Sequence, residues 1–65
     1  LPLAQLLERR KIGGRNGKPY AKKWVFFKLA ERGASEAEAI KAGKKMKMSK
    51  ARALSVYDWA RSHAS

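Results

Sequence analysis

Glycine, serine and proline punctuate this chain so closely that no stretch between them is longer than a few helical turns. Residues 12–19, IGGRNGKP, hold three glycines, an Asn-Gly pair and a proline, all marks of backbone that turns. Gly33 follows PYAKKWVFFKLAER (19–32) as a left-handed stop. Ser35 is followed three residues later by Glu38, the reciprocal cap in which each side chain satisfies a free amide of a helix's first turn. Gly43 and Ser49 repeat the stop and the N-cap. The chain is cut into four short segments, each with apolar residues at helical spacing.

In LPLAQLLERRK (1–11), Leu3, Leu6 and Leu7 form one face, and Pro2 is tolerable in a first turn. In 19–32, Pro19 stands near the first helical position and Tyr20, Trp24 and Phe27 make a stripe with Val25 and Leu29 beside it. WVFF alone also reads as a short buried strand; the signals on both sides favour helix. SEAEAIKA (35–42) has a small apolar face of Ala37, Ala39 and Ile40, and Gly43 is placed to end it. In 49–63, Ala53, Val56, Tyr57 and Ala60 follow the i, i+3, i+4, i+7 pattern, with Leu54 and Trp59 flanking.

The fold expected is all-α, a small three- to four-helix bundle with a basic N-terminal loop or arm. Residues 1–18 would be a short helix and Gly-rich arm, and 19–65 a tri-helical unit. The expected core is Tyr20, Trp24, Val25, Phe27, Leu29, Ile40, Leu54, Val56, Tyr57 and Trp59, leaving Phe26, off the stripe, for a surface or partner role. Sixty-five residues make one domain and bury only about 60% of their unfolded surface, so the core is small. Residue 1 is Leu rather than Met, which suggests a chain excised from a larger protein, processed, or trimmed to its ordered part, and so one module of its parent.

Charge narrows the function. Sixteen Lys and Arg oppose five Asp and Glu, a net charge of +11. The compact state then repels itself, an imbalance that favours polyanionic partners. The positive charge is also clustered. IKAGKKMKMSKAR (40–52) contains five lysines and an arginine with no acid. A second acid-free stretch carries Arg9, Arg10, Lys11, Arg15, Lys18, Lys22 and Lys23. With no cysteine and a single histidine, His63 near the end of the chain, neither a disulfide framework nor a Cys/His zinc site is available. The dispersed acids offer no metal-ligand pattern. An enzyme, a metal centre, a cofactor and a small-molecule substrate are therefore not expected. No apolar run approaches the ~20 residues needed to span a bilayer, and no signal-peptide hydrophobic region appears; an intracellular, cytoplasmic, nucleoid or nuclear location is expected.

The stretch ASEAEAIKAGKKMKMSKARALSVYDWAR (34–61) resembles a helix-turn-helix DNA-binding unit. In that family a small residue, commonly Ala, precedes a turn glycine by four positions, and a recognition helix follows with its N-terminal residues aimed into the major groove. Ala39 and Gly43 supply the spacing, and Met48-Ser49 would open the second helix. KKMK (44–47) intervenes after the glycine, so the turn is expected to be about four residues longer than usual. The resemblance implies a DNA-binding module, in keeping with transcription regulation. Ser49, Lys50 and Arg52 would face the groove, with Ala53 and Ser55 beside them, Arg52 reading a guanine edge through its fork. Lys44, Lys45 and Lys47 would hold phosphates ahead of the helix, and the 9–23 stretch would act as a basic arm.

DNA is favoured over RNA as the partner, a basic helical module on ribosomal or structured RNA being the alternative. A cationic membrane-active peptide fits less well, since such peptides form one continuous amphipathic helix. Trp24, Phe26, Phe27, Tyr57 and Trp59 raise base stacking, although a chain this small needs most of its aromatics inside. Leu3, Leu6 and Leu7 could also pack on a second copy or on the parent protein.

Overall fold

The computed structural model describes residues 2–13 and 19–64. Four helices follow in order among them: α1 (Leu3–Ile12), α2 (Lys22–Glu31), α3 (Glu36–Lys45) and α4 (Lys50–Ala64). No strand occurs among the described residues, and WVFF lies within α2. No helix among them is long and apolar enough to cross a membrane.

Each boundary has a local cause. At the end of α2, Gly33 takes φ 67° and donates its N–H to Ala30 O (3.1 Å), while Ala34 N–H reaches back to Leu29 O (3.0 Å). These are the paired bonds of a Schellman stop, which needs a left-handed residue at the position Gly33 fills. Ser35 Oγ then accepts from Glu38 N–H (3.3 Å) to open α3, and the Glu38 carboxylate pairs with Arg32. The start of α2 departs from expectation. Tyr20 donates its N–H to Arg10 O on α1 (3.0 Å), and Ala21 is extended at φ −60° and ψ 153°. The helix therefore begins at Lys22, three residues beyond Pro19.

Gly43 does not end α3. The helix runs through it to Lys45, and the stop belongs to Lys47, a lysine at φ 62°. Lys47 N–H bonds Lys44 O (3.1 Å) and Met48 N–H bonds Gly43 O (2.8 Å). This is again a Schellman pair, with a lysine where glycine is usual. Ser49 Oγ accepts from Arg52 N–H (3.1 Å), capping α4. The connection between α3 and α4 is thus only residues 46–49, not the longer turn expected. Gly43 serves the helix crossing instead. A Cβ placed on it would lie 2.5 Å from the Ala53 Cβ, so only glycine lets α3 and α4 approach this closely.

The core gathers Leu6 of α1, Val25, Phe26 and Leu29 of α2, Ala39, Ala42 and Met46 from α3 and its end, and Ala53, Tyr57 and Ala60 of α4. Burying a side chain such as Phe26 contributes about 1.5–3 kcal/mol. Tyr57 is also tethered, its hydroxyl donating to Ala34 O in the α2–α3 turn. Several expected core positions are not fully buried, although Trp24, Phe27 and Val56 pack against the core from its edge. Tyr20 and Trp59 are 37% and 38% exposed, and Trp24, Phe27, Ile40, Leu54 and Val56 are half-buried. Phe26, left for a surface or partner role, is fully buried. The reason is rotational. Trp24, Val25, Phe26 and Phe27 cover most of the α2 circumference with apolar groups, so the inward side is chosen by α4 and α3 rather than by α2's own pattern. Leu6 is buried in this core, with Leu3 and Leu7 packed against it, so α1 spends its leucine face within the chain.

Candidate nucleic-acid interface

The face of α4 beside its core stripe carries Arg52, Ser55, Val56 and Trp59, again spaced i, i+3, i+4, i+7. This face forms one wall of an open hollow of about 800 Å³. The α3–α4 turn adds Lys47, Met48 and Ser49 to its lining, and the start of α2 adds Ala21, Lys22 and Lys23. Four cations therefore line it, Lys22, Lys23, Lys47 and Arg52, and no acid does. Met48 and Val56 are half-buried against the core, so apolar side chains lie among these cations.

A second hollow of about 580 Å³ adjoins the first, since Lys22 and Lys47 line both. Arg10 and Lys11 of α1 and Lys45 of α3 add to it, with Glu8 as its single acid. Glu8 stands 3.9 Å from Lys11, both side chains being well exposed, and such a pair has little strength in water. Tertiary packing thus brings Arg10, Lys11, Lys22 and Lys23 to the same adjoining hollows as Lys45, Lys47, Ser49 and Arg52. This comes about because the Tyr20–Arg10 backbone bond closes α1 onto α2 and the tight Gly43–Ala53 crossing places the α3–α4 turn beside Lys22. Gathering like charges raises the energy of the folded state, and an anion lying along the hollows would offset that repulsion.

Of the residues expected to bind nucleic acid, Arg10, Lys11, Lys22, Lys23, Lys45, Lys47, Ser49 and Arg52 line one hollow or both. Arg9, Lys44 and Lys50 are exposed and line neither. Lys44 and Lys45 belong to the last turn of α3 rather than to the turn after it, because α3 continues past Gly43. Ala53 does not face outward with Ser49 and Arg52. It is buried against Gly43. Arg15 and Lys18 lie outside the described residues. Trp59, expected in the core, is exposed and lines the larger hollow. Its place on the Arg52/Ser55/Val56 face was readable, since residue 59 lies two positions, about 200°, from Tyr57 on a 3.6-residue helix.

The Trp59 ring meets Phe27 at 5.0 Å and 65°, and His63 at 4.8 Å and 38°. Lys23 Nζ sits over it, 5.2 Å from the centroid. Tyr20 is spent differently, lying nearly parallel on Trp24 at 4.6 Å and 16°.

No family model matches the chain, and comparison with curated proteins and with solved structures gives no match either.

Proposed function

We propose that this chain is a DNA-binding module in which α4 is presented to the duplex and lysines from two separate stretches hold the phosphate backbone on either side of its first turn. One observation carries the reading: Lys22 and Lys23 of α2 line the same acid-free hollow as Lys47, Ser49 and Arg52. Charge scattered over a surface would serve solubility alone. Charge drawn from two stretches around the exposed start of a helix matches a rod of evenly spaced phosphates.

The remaining geometry is compatible with a helix-turn-helix arrangement. The four-residue connection between α3 and α4 falls within the 3–4 residues such units use. Ser49, which caps α4, and Lys50 and Arg52 of its first turn are exposed at the start of the helix, where recognition helices carry their base contacts. Arg52 is the residue assigned to a base edge, because a guanidinium fork bonds both acceptors of guanine. Lys22, Lys23 and Lys47 fix position rather than sequence. The longest dimension of the domain, 29 Å, spans roughly eight base pairs at about 3.4 Å each.

A titration of labelled duplex at several salt concentrations tests this. If the four cations of the larger hollow each neutralise one phosphate, log affinity falls against log salt with a slope of about −3.6, at about 0.9 per contact. Changing Lys22, Lys23 and Lys47 together to Ala should flatten that slope by about 2.7 and weaken all sequences alike. Arg52→Ala should instead lose about 1–3 kcal/mol on a preferred site only. Affinity no tighter than millimolar at low salt, or an unchanged slope in the triple variant, refutes the assignment. Tighter binding to a structured RNA of equal length moves the function to RNA.

A further inference from the structure

We infer that Trp59 is a stacking platform for an unpaired base, so that the larger hollow takes single-stranded nucleic acid with its phosphates on the lysines and one base on the indole. The inference rests on the polyanion reading above but not on docking to a duplex.

The aromatic residues are not used alike. Phe26 and Tyr57 are buried, and Trp24 and Phe27 are half-buried. Only Tyr20 and Trp59 are substantially exposed among the described aromatic residues. Tyr20 already has a ring lying nearly parallel on it, Trp24 at 16°. Trp59 has none among the described residues: Phe27 meets it at 65° and His63 at 38°. These two tilted neighbours hold the indole, and His63 Nδ1 is 2.8 Å from Trp59 O one turn back. A ring held in this way loses little freedom when a base settles on it, which is what a stacking site needs. The group placed over the ring is the ammonium of Lys23, on a flexible stem. It can swing to a phosphate and leave the ring to a base.

The surroundings suit a nucleotide. Trp59, Val56 and Met48 give the hollow apolar walls, and Lys22, Lys23, Lys47 and Arg52 lie among them. Ser55 and Ser49 bring hydroxyls within the same hollow, and Ser49 Oγ, already accepting from Arg52 N–H, keeps its own hydrogen to donate. Stacking on an aromatic ring beside a cationic track is how single strands are held without sequence preference. An intact duplex cannot use this indole, because its base faces are covered by their neighbours in the stack.

The chain has two tryptophans, so the Trp24→Phe variant leaves Trp59 as the sole indole reporter. The emission of that variant should be quenched by a thymidylate strand of about a dozen nucleotides and changed far less by a hairpin duplex of equal charge. Trp59→Leu should weaken single-strand binding about 5- to 150-fold, the loss of one stacked base, and several-fold more than it weakens duplex binding. Trp59→Phe, which keeps a smaller ring, should recover part of the loss and serves if the leucine variant does not fold. Unquenched emission at saturating single strand, or equal losses for strand and duplex in both Trp59 variants, overturns the inference while leaving the polyanion reading standing. Absence of binding to either form overturns both.

Discussion

Gly43→Ala should destabilise this domain even though it replaces a poor helix former with the best one. In an exposed helix the exchange stabilises by about 1 kcal/mol. Here the added Cβ would stand 2.5 Å from the Ala53 Cβ and 3.6 Å from its Cα. Both carbons are fixed to backbone and neither can rotate aside, so α3 and α4 must part by about 1 Å to restore ordinary contact. Ala39, Ala42 and Met46 share that interface with Ala53, Tyr57 and Ala60, and all lose contact together. Overpacking costs about 1–3 kcal/mol, and a backbone-bound clash belongs at the upper end. The net expectation is a loss of about 1–2 kcal/mol. A 65-residue chain has only about 3–10 kcal/mol of stability in all. Thermal unfolding followed by circular dichroism should show Tm lower by about 5–15 °C, at about 4–8 °C per kcal/mol for a domain this small. Ala53→Gly removes the carbon that Gly43→Ala would strike. The double variant should therefore be more stable than the sum of the two single losses by about 2 kcal/mol. A Gly43→Ala protein that melts at or above the parent temperature, or a double variant that is simply additive, would refute the close-crossing argument.

The two left-handed stops make opposite predictions. Gly33 has φ 67° with open space around a built Cβ, so Gly33→Ala should cost about 1 kcal/mol from backbone conformation alone, measurable by urea unfolding. Lys47, at φ 62° in the equivalent position, should tolerate Lys47→Gly with a gain of up to about 1 kcal/mol; since Lys47 lines both hollows, the same variant should bind duplex more weakly, and a gain in both properties would argue against its phosphate role. Tyr57→Phe strips the Ala34 carbonyl of its hydroxyl partner and should lower stability by about 0.5–1.5 kcal/mol, read from the same denaturation curves. Ser49→Ala removes the cap at Arg52 N–H and should cost about 1 kcal/mol, with amide exchange quickening in the first turn of α4.

What could be read from the chain before any coordinates was whatever depends on neighbours within a few positions. Ser35 and Ser49 each accept from the amide three residues on, as a cap made between near neighbours should, although the Glu38 carboxylate pairs with Arg32 rather than completing the reciprocal cap. Gly33 ends α2 for the same reason. Four helices, and the Ala53/Tyr57/Ala60 inner stripe of α4, follow from such local patterns.

Three matters were decided only when the helices met. Which side of α2 turned inward was settled by its partners, because a segment apolar nearly all round states no preference of its own; hence Phe26 inside. Whether Gly43 was a stop or a point of contact depended on Ala53, ten residues away and across an interface. The meeting of Lys22 and Lys23 with Lys47 and Arg52 depended on the Tyr20–Arg10 bond and the α3–α4 crossing together. Local order needs only the chemistry of adjacent residues, whereas a surface assembled from distant ones exists only once the core has fixed how the helices lie.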